Sequence, residues 1–189
     1  MEATKTAQDL RFPIGKFRGK GELSATERAE LISQIAETPA RLRDAVKGLT
    51  SEQLDTPYRP EGWTVRQVVH HLPDSHLNSY VRFKLALTEE QPTIKTYDQE
   101  AWAKHLDYAR RKPSHALESF RRIRAENYEL LKELPESAFE RTGQHTERGA
   151  LTLKQLVQLI AEHAESHAAQ LRTRRAEYKA FKTAASGSS

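Results

Sequence analysis

Histidines carry the chemistry that is legible in this 189-residue chain. His163 and His167 interrupt an apolar stripe formed by Leu153, Leu156, Val157, Ile160, Ala164, Ala168 and Leu171. On an α-helix four steps return to within about 40° of the starting direction, so both imidazoles leave one face roughly one turn apart. That spacing lets two rings reach a single metal ion. A second group lies earlier, in His70-His71-Leu72-Pro73-Asp74-Ser75-His76. Ligands on two facing helices are how helical bundles build metal sites from inward side chains. A lone buried histidine is more often a hydrogen-bonded core residue, and H-x-x-x-H by itself matches many helices; the second cluster is what turns the reading towards metal. Spacing leaves the third ligand open. His71 follows Val68 by three, whereas His76 falls on the seven-residue repeat of Val69 and Phe83. His105, His115 and His145 lie in or beside loops and are expected to be exposed.

Other chemistries find little support. The chain has no cysteine, which removes disulfides, thiolate nucleophiles and thiolate metal sites together, so any metal must be held by His, Asp or Glu. Ala164 follows His163, and Glu165 points about 200° away from it, so the H-E-x-x-H arrangement of zinc proteases is absent. The run from Gly15 to Gly21 fits neither a P-loop nor a dinucleotide fingerprint. Ser75 and Ser166 lack the setting of a nucleophile elbow. Trp63 and Trp102 are expected as core or pocket walls rather than base-stacking platforms. His76, Asp74 and Asn78 are candidates for supporting groups, the last two reading equally well as solvent-facing helix residues.

Four helical segments must position these side chains. Ser24 with Glu27, Thr64 with Gln67 and Thr152 with Gln155 form capping-box patterns that open stretches to about Gly48, to about Thr88 and to roughly Phe181. Pro113 and Ser114 open the remaining one, which Pro135 closes. Tyr97 to Arg111 reads as a lesser helix around Trp102 and Leu106, and Phe139 to Leu151, with Gly143 and Gly149, as a short hairpin or ordered loop. The expectation is an all-α four-helix bundle with short additional helix and loop elements, residues 1–189 forming one domain. Within it, residues 1–23 form an extended segment whose Phe12-Pro13-Ile14-Gly15-Lys16-Phe17 patch is expected to pack across the bundle, and residues 183–189 a flexible tail.

Charge and hydropathy set the partner classes. The net charge of +4 equals the local surplus between Arg172 and Lys182, which reads as a solvated basic helix end, so no nucleic-acid partner is expected. Mean hydropathy is −0.76 and no apolar run approaches the roughly 18 residues of a membrane span, so no membrane association and a cytoplasmic location are expected.

The run Tyr58-Arg59-Pro60-Glu61-Gly62-Trp63-Thr64-Val65-Arg66-Gln67-Val68-Val69-His70-His71-Leu72, continuing through Asp74-Ser75-His76-Leu77-Asn78 to Leu85, closely resembles the YfiT-like branch of the DinB superfamily. Phe12-Pro13-Ile14-Gly15, Leu87-Thr88-Glu89-Glu90, Tyr97-Asp98, Trp102 and the late histidine pair extend the resemblance over most of the chain. It implies a four-helix bundle, usually dimeric, of the kind described as metal-dependent hydrolases, with a divalent ion held by three histidines. The family's first ligand directly precedes a leucine, which falls on His71; the late pair falls on His163 and His167. Pro73 departs from the pattern and is expected to kink the helix two residues after His71, because it deletes the bond to the Val69 carbonyl.

The resemblance implies a homodimer; for the ion zinc is expected first, with nickel or another first-row divalent metal as alternatives, and for the substrate a small molecule. Three neutral imidazoles leave a dipositive charge uncompensated and a coordination position open, which suits hydrolysis by an activated water. Such an ion would leave as the pH falls through about 6, because the imidazoles must be neutral to bind. Two rival readings are a thiol S-transferase of the bacillithiol-transferase kind, in which the ion activates a low-molecular-weight thiol, and a non-enzymatic helical protein that binds a partner.

Overall fold

The three capping boxes form as the sequence dictates, and each starts a long helix. Ser24 Oγ accepts the Glu27 N–H at 3.2 Å while the Glu27 carboxylate accepts the Ser24 N–H at 2.9 Å, opening α1 (Ala25–Val46). A four-residue helix α2 (Ser51–Leu54) follows. Thr64 and Gln67 exchange the same pair of bonds at the head of α3 (Val65–Thr88), and Thr152 and Gln155 do so at the head of α7. Between α3 and α7 come β1 (Thr93–Ile94), α4 (Gln99–Ala103), α5 (Leu106–Arg110), α6 (Pro113–Leu131), a 3₁₀ turn, β2 (Thr142–His145) and β3 (Gly149–Thr152). Helix α7 runs Leu153–Ser186. The computed structural model describes residues 10–17 and 19–186.

Helix α1 packs against α6 and α7, and α3 packs against the same two, so the first two long helices sit on a diagonal of a four-helix bundle. Two apolar clusters fill it. Ile32, Ile35, Phe83, Leu131, Leu156 and Ile160 form one; Leu42, Val68, Leu72, Phe120, Ala164 and Leu171 form the other. Each fully buried Leu, Ile or Phe contributes about 1.5–3 kcal/mol relative to exposure, and these clusters are the main source of stability. Reading along each helix from one cluster to the other crosses a polar residue: Thr38 between Ile35 and Leu42, His76 between Leu72 and Phe83, Arg124 between Phe120 and Leu131, His163 between Ile160 and Ala164. The bundle is therefore two apolar halves separated by a polar layer.

Arg124 holds that layer together. Its side chain is buried, and its guanidinium donates to the carbonyls of Ile35 (2.6 Å) and Ile160 (3.3 Å) and to Nδ1 of His76 (3.2 Å), so one cation ties α1, α3, α6 and α7. Burial lowers its pKa from the ordinary guanidinium value, but the group stays cationic at neutral pH.

Several expectations need correction. The segment from Tyr97 to Arg111 is two short helices: Asp98 caps the first by accepting the Ala101 N–H (2.9 Å), and the break falls at Lys104 and His105, where His105 takes an extended conformation (φ −69°, ψ 146°) that a continuous helix cannot hold. Its buried residues are Ala103 and Tyr108, whereas Trp102 and Leu106 are exposed. Of the two readings of Phe139 to Leu151 the hairpin is the one that forms, as β2–β3; what the sequence did not show is β1, a third strand parallel to β2 that is only two residues long. Gly143 allows this: a Cβ there would stand 2.4 Å from Ile94 Cδ1, so only glycine lets the strands close. Helix α7 continues through Ser186, into the stretch expected as a flexible tail; residues 187–189, like 1–9, lie outside the described residues.

Pro73, expected to kink α3, lies inside a helix that runs uninterrupted from Val65 to Thr88. The N-terminal segment is tied along α7, where Gln158 exchanges two bonds with the backbone of Lys20 and Gln170 Nε2 donates to the Arg11 carbonyl, but Phe12, Ile14 and Phe17 remain exposed. No described helix is long and apolar enough to cross a membrane.

Candidate metal centre

Helix α7 presents His163 and His167 one turn apart, and α3 presents His71 across from them. One nitrogen from each of the three rings lies within 4.8 Å of the others. Nε2 of His71 and Nε2 of His163 are 3.2 Å apart. Two imidazole nitrogens bound to one zinc at ~2.0–2.1 Å and tetrahedral angles stand ~3.3 Å apart, so this edge already has the span of a shared ion. At most one hydrogen fits between these two nitrogens, and the other atom must offer a lone pair.

The surroundings fix the remaining ring. Nδ1 of His167 lies 2.8 Å from Gln170 Oε1, which can only accept; His167 therefore carries its proton on Nδ1 and turns a lone pair on Nε2 inwards. The edge of Trp63 packs against His71 with ring centroids 4.8 Å apart, and the Tyr97 hydroxyl stands 3.5 Å from His71 Nδ1. Nδ1 of His163 is buried with no hydrogen-bond partner. Burial disfavours the imidazolium form of all three: His71 and His163 have pKa values pushed well below the ordinary 6.5, each lowered further by neighbouring histidines, and His167 is lowered to about 4. At pH 7 the rings are neutral, which is the ligand form, and the donor set fits a divalent ion.

The other histidines do different work. His70 places Nδ1 at 2.9 Å from the Arg66 carbonyl and Nε2 at 3.1 Å from the Arg111 carbonyl, tying α3 to the end of α5. His76, which spacing alone kept as a third-ligand candidate, has Nδ1 occupied by Arg124 and lies outside the three-nitrogen group. His105 and His115 are exposed as expected. His145 is not: β2 carries it inward, where it is 7% exposed, and its Nδ1 accepts the Glu147 N–H at 3.2 Å. Asp74 accepts the Tyr108 hydroxyl at 2.7 Å rather than facing solvent, and Asn78 donates back to the Asp74 carbonyl at 2.8 Å; neither belongs to the three-nitrogen group.

Two clefts meet at the centre. One, of about 520 Å³, is walled by His71, His163, His167, Trp63, Phe12 and Glu162. The second, of about 600 Å³, is walled by Ser75, Ser79, Arg82, Tyr97 and His145. His163, Gln99, Arg148 and Leu159 belong to both. Burial raises the Glu162 carboxyl above the ordinary glutamate pKa, which strengthens it as a base. Nothing in the sequence marks Glu162, which precedes a ligand and resembles any polar helix residue. Gln170 was recoverable, since it follows His167 by three and so shares its face.

Residues 34–171 match the family described as the DinB superfamily. The chain belongs to the DinB superfamily. Among its relatives, the Bacillus subtilis (strain 168) protein named "Putative metal-dependent hydrolase YfiT" is 41% identical over 167 residues, covering 88% of this chain and 94% of the relative. An Oceanobacillus iheyensis protein named in the same terms is 41% identical over 162 residues, covering 85% of this chain and 93% of the relative. The solved structure of YfiT superposes with a TM-score of 0.87 at 39% identity, covering 90% of this chain and 98% of that one. It is described as "a probable metal-dependent hydrolase with an unusual four-helix bundle topology". This DinB-superfamily chain has such a bundle, with its first two long helices on a diagonal.

Proposed function

We propose that this protein is a metal-dependent hydrolase of a small substrate, with His71, His163 and His167 as the ligands of one divalent ion, zinc first among the candidates. The observation that carries the reading is the convergence of three neutral imidazole nitrogens from two helices at the meeting point of two clefts. When bound, the ion supplies a Lewis acid that makes water nucleophilic near neutral pH. The chain's own residues do the rest. Gln170 holds the His167 ring in the tautomer that binds metal. Trp63 and Phe12 wall the cleft with apolar surface, which limits water around a seated substrate. Glu162, on the same wall with a raised pKa, takes the proton from water at its carboxylate and returns it to the leaving group.

One observation favours a second reading. Hydrolysis needs a single substrate and water, yet two clefts share His163, which suits a transferase that brings a low-molecular-weight thiol and an electrophile to one centre. A single experiment separates the two. Protein with its metal content measured by elemental analysis is assayed on ester and amide substrates with and without a thiol panel. One ion per chain and thiol-independent turnover are expected; turnover only with thiol would replace hydrolysis by transfer, and an absence of stoichiometric metal would overturn both.

A further inference from the structure

The larger cleft contains a cation whose charge nothing in the hydrolytic reading employs. Arg82, on α3, lines it together with Ser79, Tyr97, His145 and Arg148. Its guanidinium donates from Nη2 to the Lys95 carbonyl at 3.1 Å, but its Nε is buried with no hydrogen-bond partner. Among the described residues Arg82 forms no ion pair. The two carboxylates on the wall are otherwise placed: Asp98 caps α4 through the Ala101 N–H, and Glu147 is exposed. Burying a charged donor without a partner is costly, and the cost is recovered where the counter-charge arrives with a ligand.

The neighbours are donors too. Because His145 Nδ1 accepts the Glu147 N–H, a neutral His145 carries its proton on Nε2. The Tyr97 hydroxyl lines the same cleft and can donate its proton to a bound oxygen. Desolvation lowers the Arg82 pKa from its ordinary value, with Arg148 adding to the effect and Tyr97 and Glu147 opposing it.

We propose that this cleft is an oxyanion subsite, in which Arg82 receives a carboxylate, phosphate or sulfonate group carried by the substrate, with Arg148 at the mouth and His145 and Tyr97 as flanking donors. The substrate class is thus an anionic small molecule. Its link to catalysis rests on the hydrolase reading above: His163 lines both clefts, so an anion held on Arg82 sets the rest of the molecule against the three-histidine centre. A single oxyanion on a guanidinium is a charge-assisted contact, for which removal of the cation costs about tenfold or more in affinity.

The test is a titration with inorganic phosphate, acetate and methanesulfonate, following the His145 imidazole signals by NMR, on metal-stripped and zinc-loaded protein. Saturable binding of at least one probe is expected in both forms. Arg82→Gln should weaken it about tenfold or more with zinc content unchanged, and Arg82→Lys should restore part of it. Arg148→Gln, which alters an exposed side chain, should weaken it less and serves if the Arg82 variants fail to fold. Binding equal to wild type in Arg82→Gln, or in Arg148→Gln where that variant alone folds, would overturn the subsite. So would binding that requires zinc and ignores Arg82, since the anion would then sit on the ion. Arg82-dependent binding in a protein that retains no zinc would uphold the subsite while defeating the metal reading. The preferred probe identifies the oxyanion.

Discussion

Acidification from pH 7 to pH 5 should destabilise the metal-free protein far more than the metal-loaded one. His71, His76, His163 and His167 all have pKa values lowered by burial. A base whose folded pKa lies below its unfolded value binds fewer protons when folded, so its contribution is intact above about pH 6.5 and is lost as the pH drops towards the folded pKa. For His167, which falls from 6.5 to about 4, linkage gives a loss of about 2 kcal/mol between pH 7 and 5, before discounting its partial exposure. The other three are pushed down in the same direction, so each adds to the loss. A loss of this order from one ring is already a sizeable part of the stability of a typical domain, about 5–15 kcal/mol. An ion on three of these rings opposes protonation and, at ~100 times its Kd, adds ~2.7 kcal/mol. Thermal unfolding followed by circular dichroism at pH 7, 6 and 5, with chelator or with one equivalent of zinc, checks this. A midpoint for the metal-free protein that stays level from pH 7 to 5 would refute it. The same burial bears on metal release: protons compete with the ion where the rings titrate, and bound zinc measured against pH checks the release expected at about pH 6.

Other perturbations separate the roles of neighbouring groups. His163→Ala or His167→Ala should abolish stoichiometric zinc by elemental analysis while the circular dichroism spectrum stays helical; full occupancy in both variants would refute the ligand assignment. Glu162→Gln should leave metal content unchanged and lower turnover on a responsive ester by about 10²–10⁴-fold, the usual range for removing a general base; an unchanged rate would remove Glu162 from the mechanism. Arg124→Ala should cost about 3 kcal/mol or more in chemical denaturation, since it strands His76 and the Ile35 and Ile160 carbonyls in the core, and a loss under 1 kcal/mol would contradict its role as a tie.

The four long helices were legible because their starts are local: a capping box requires only a residue and its third neighbour, and Ser24, Thr64 and Thr152 each had the partner in place, while Pro113 in the first turn marks the fourth. The late histidine pair was legible for the same reason, being a spacing within one helix. What failed was long-range. His71 and His76 differ by which faces α7 and which meets Arg124, and that depends on how α3 is rotated in the bundle, a matter no periodicity within α3 decides. His145 read as a loop histidine because β1 and β2, which bury it, are too short to alternate visibly. Arg124 stayed hidden because an arginine on an inward stripe reads as surface until the backbone carbonyls that receive it converge from two other helices.

Arg124 also bears on the chemistry. It places a positive charge in the same polar layer as His163, within reach to disfavour protonation of that ring, and among the described residues it is bonded to carbonyls, a threonine hydroxyl and His76 rather than to a carboxylate. Neutral ligands cancel none of a divalent ion's charge, so a loaded centre would add that charge to Arg124, and to Arg82 in the adjoining cleft, against the carboxylate of Glu162 on its wall. Coulomb energies fall slowly with distance in a weakly polarisable interior, which makes such an excess expensive unless negative charge enters with what the site binds. The same argument that keeps the imidazoles unprotonated therefore favours anions at the centre. A hydroxide, a thiolate or a substrate carrying an oxyanion each lowers the energy of the loaded state, whereas a cationic substrate would raise it. Selectivity for anionic over cationic esters of equal size is the kinetic form of that inequality, and a preference for the cationic ester would show that the positive layer does not govern binding.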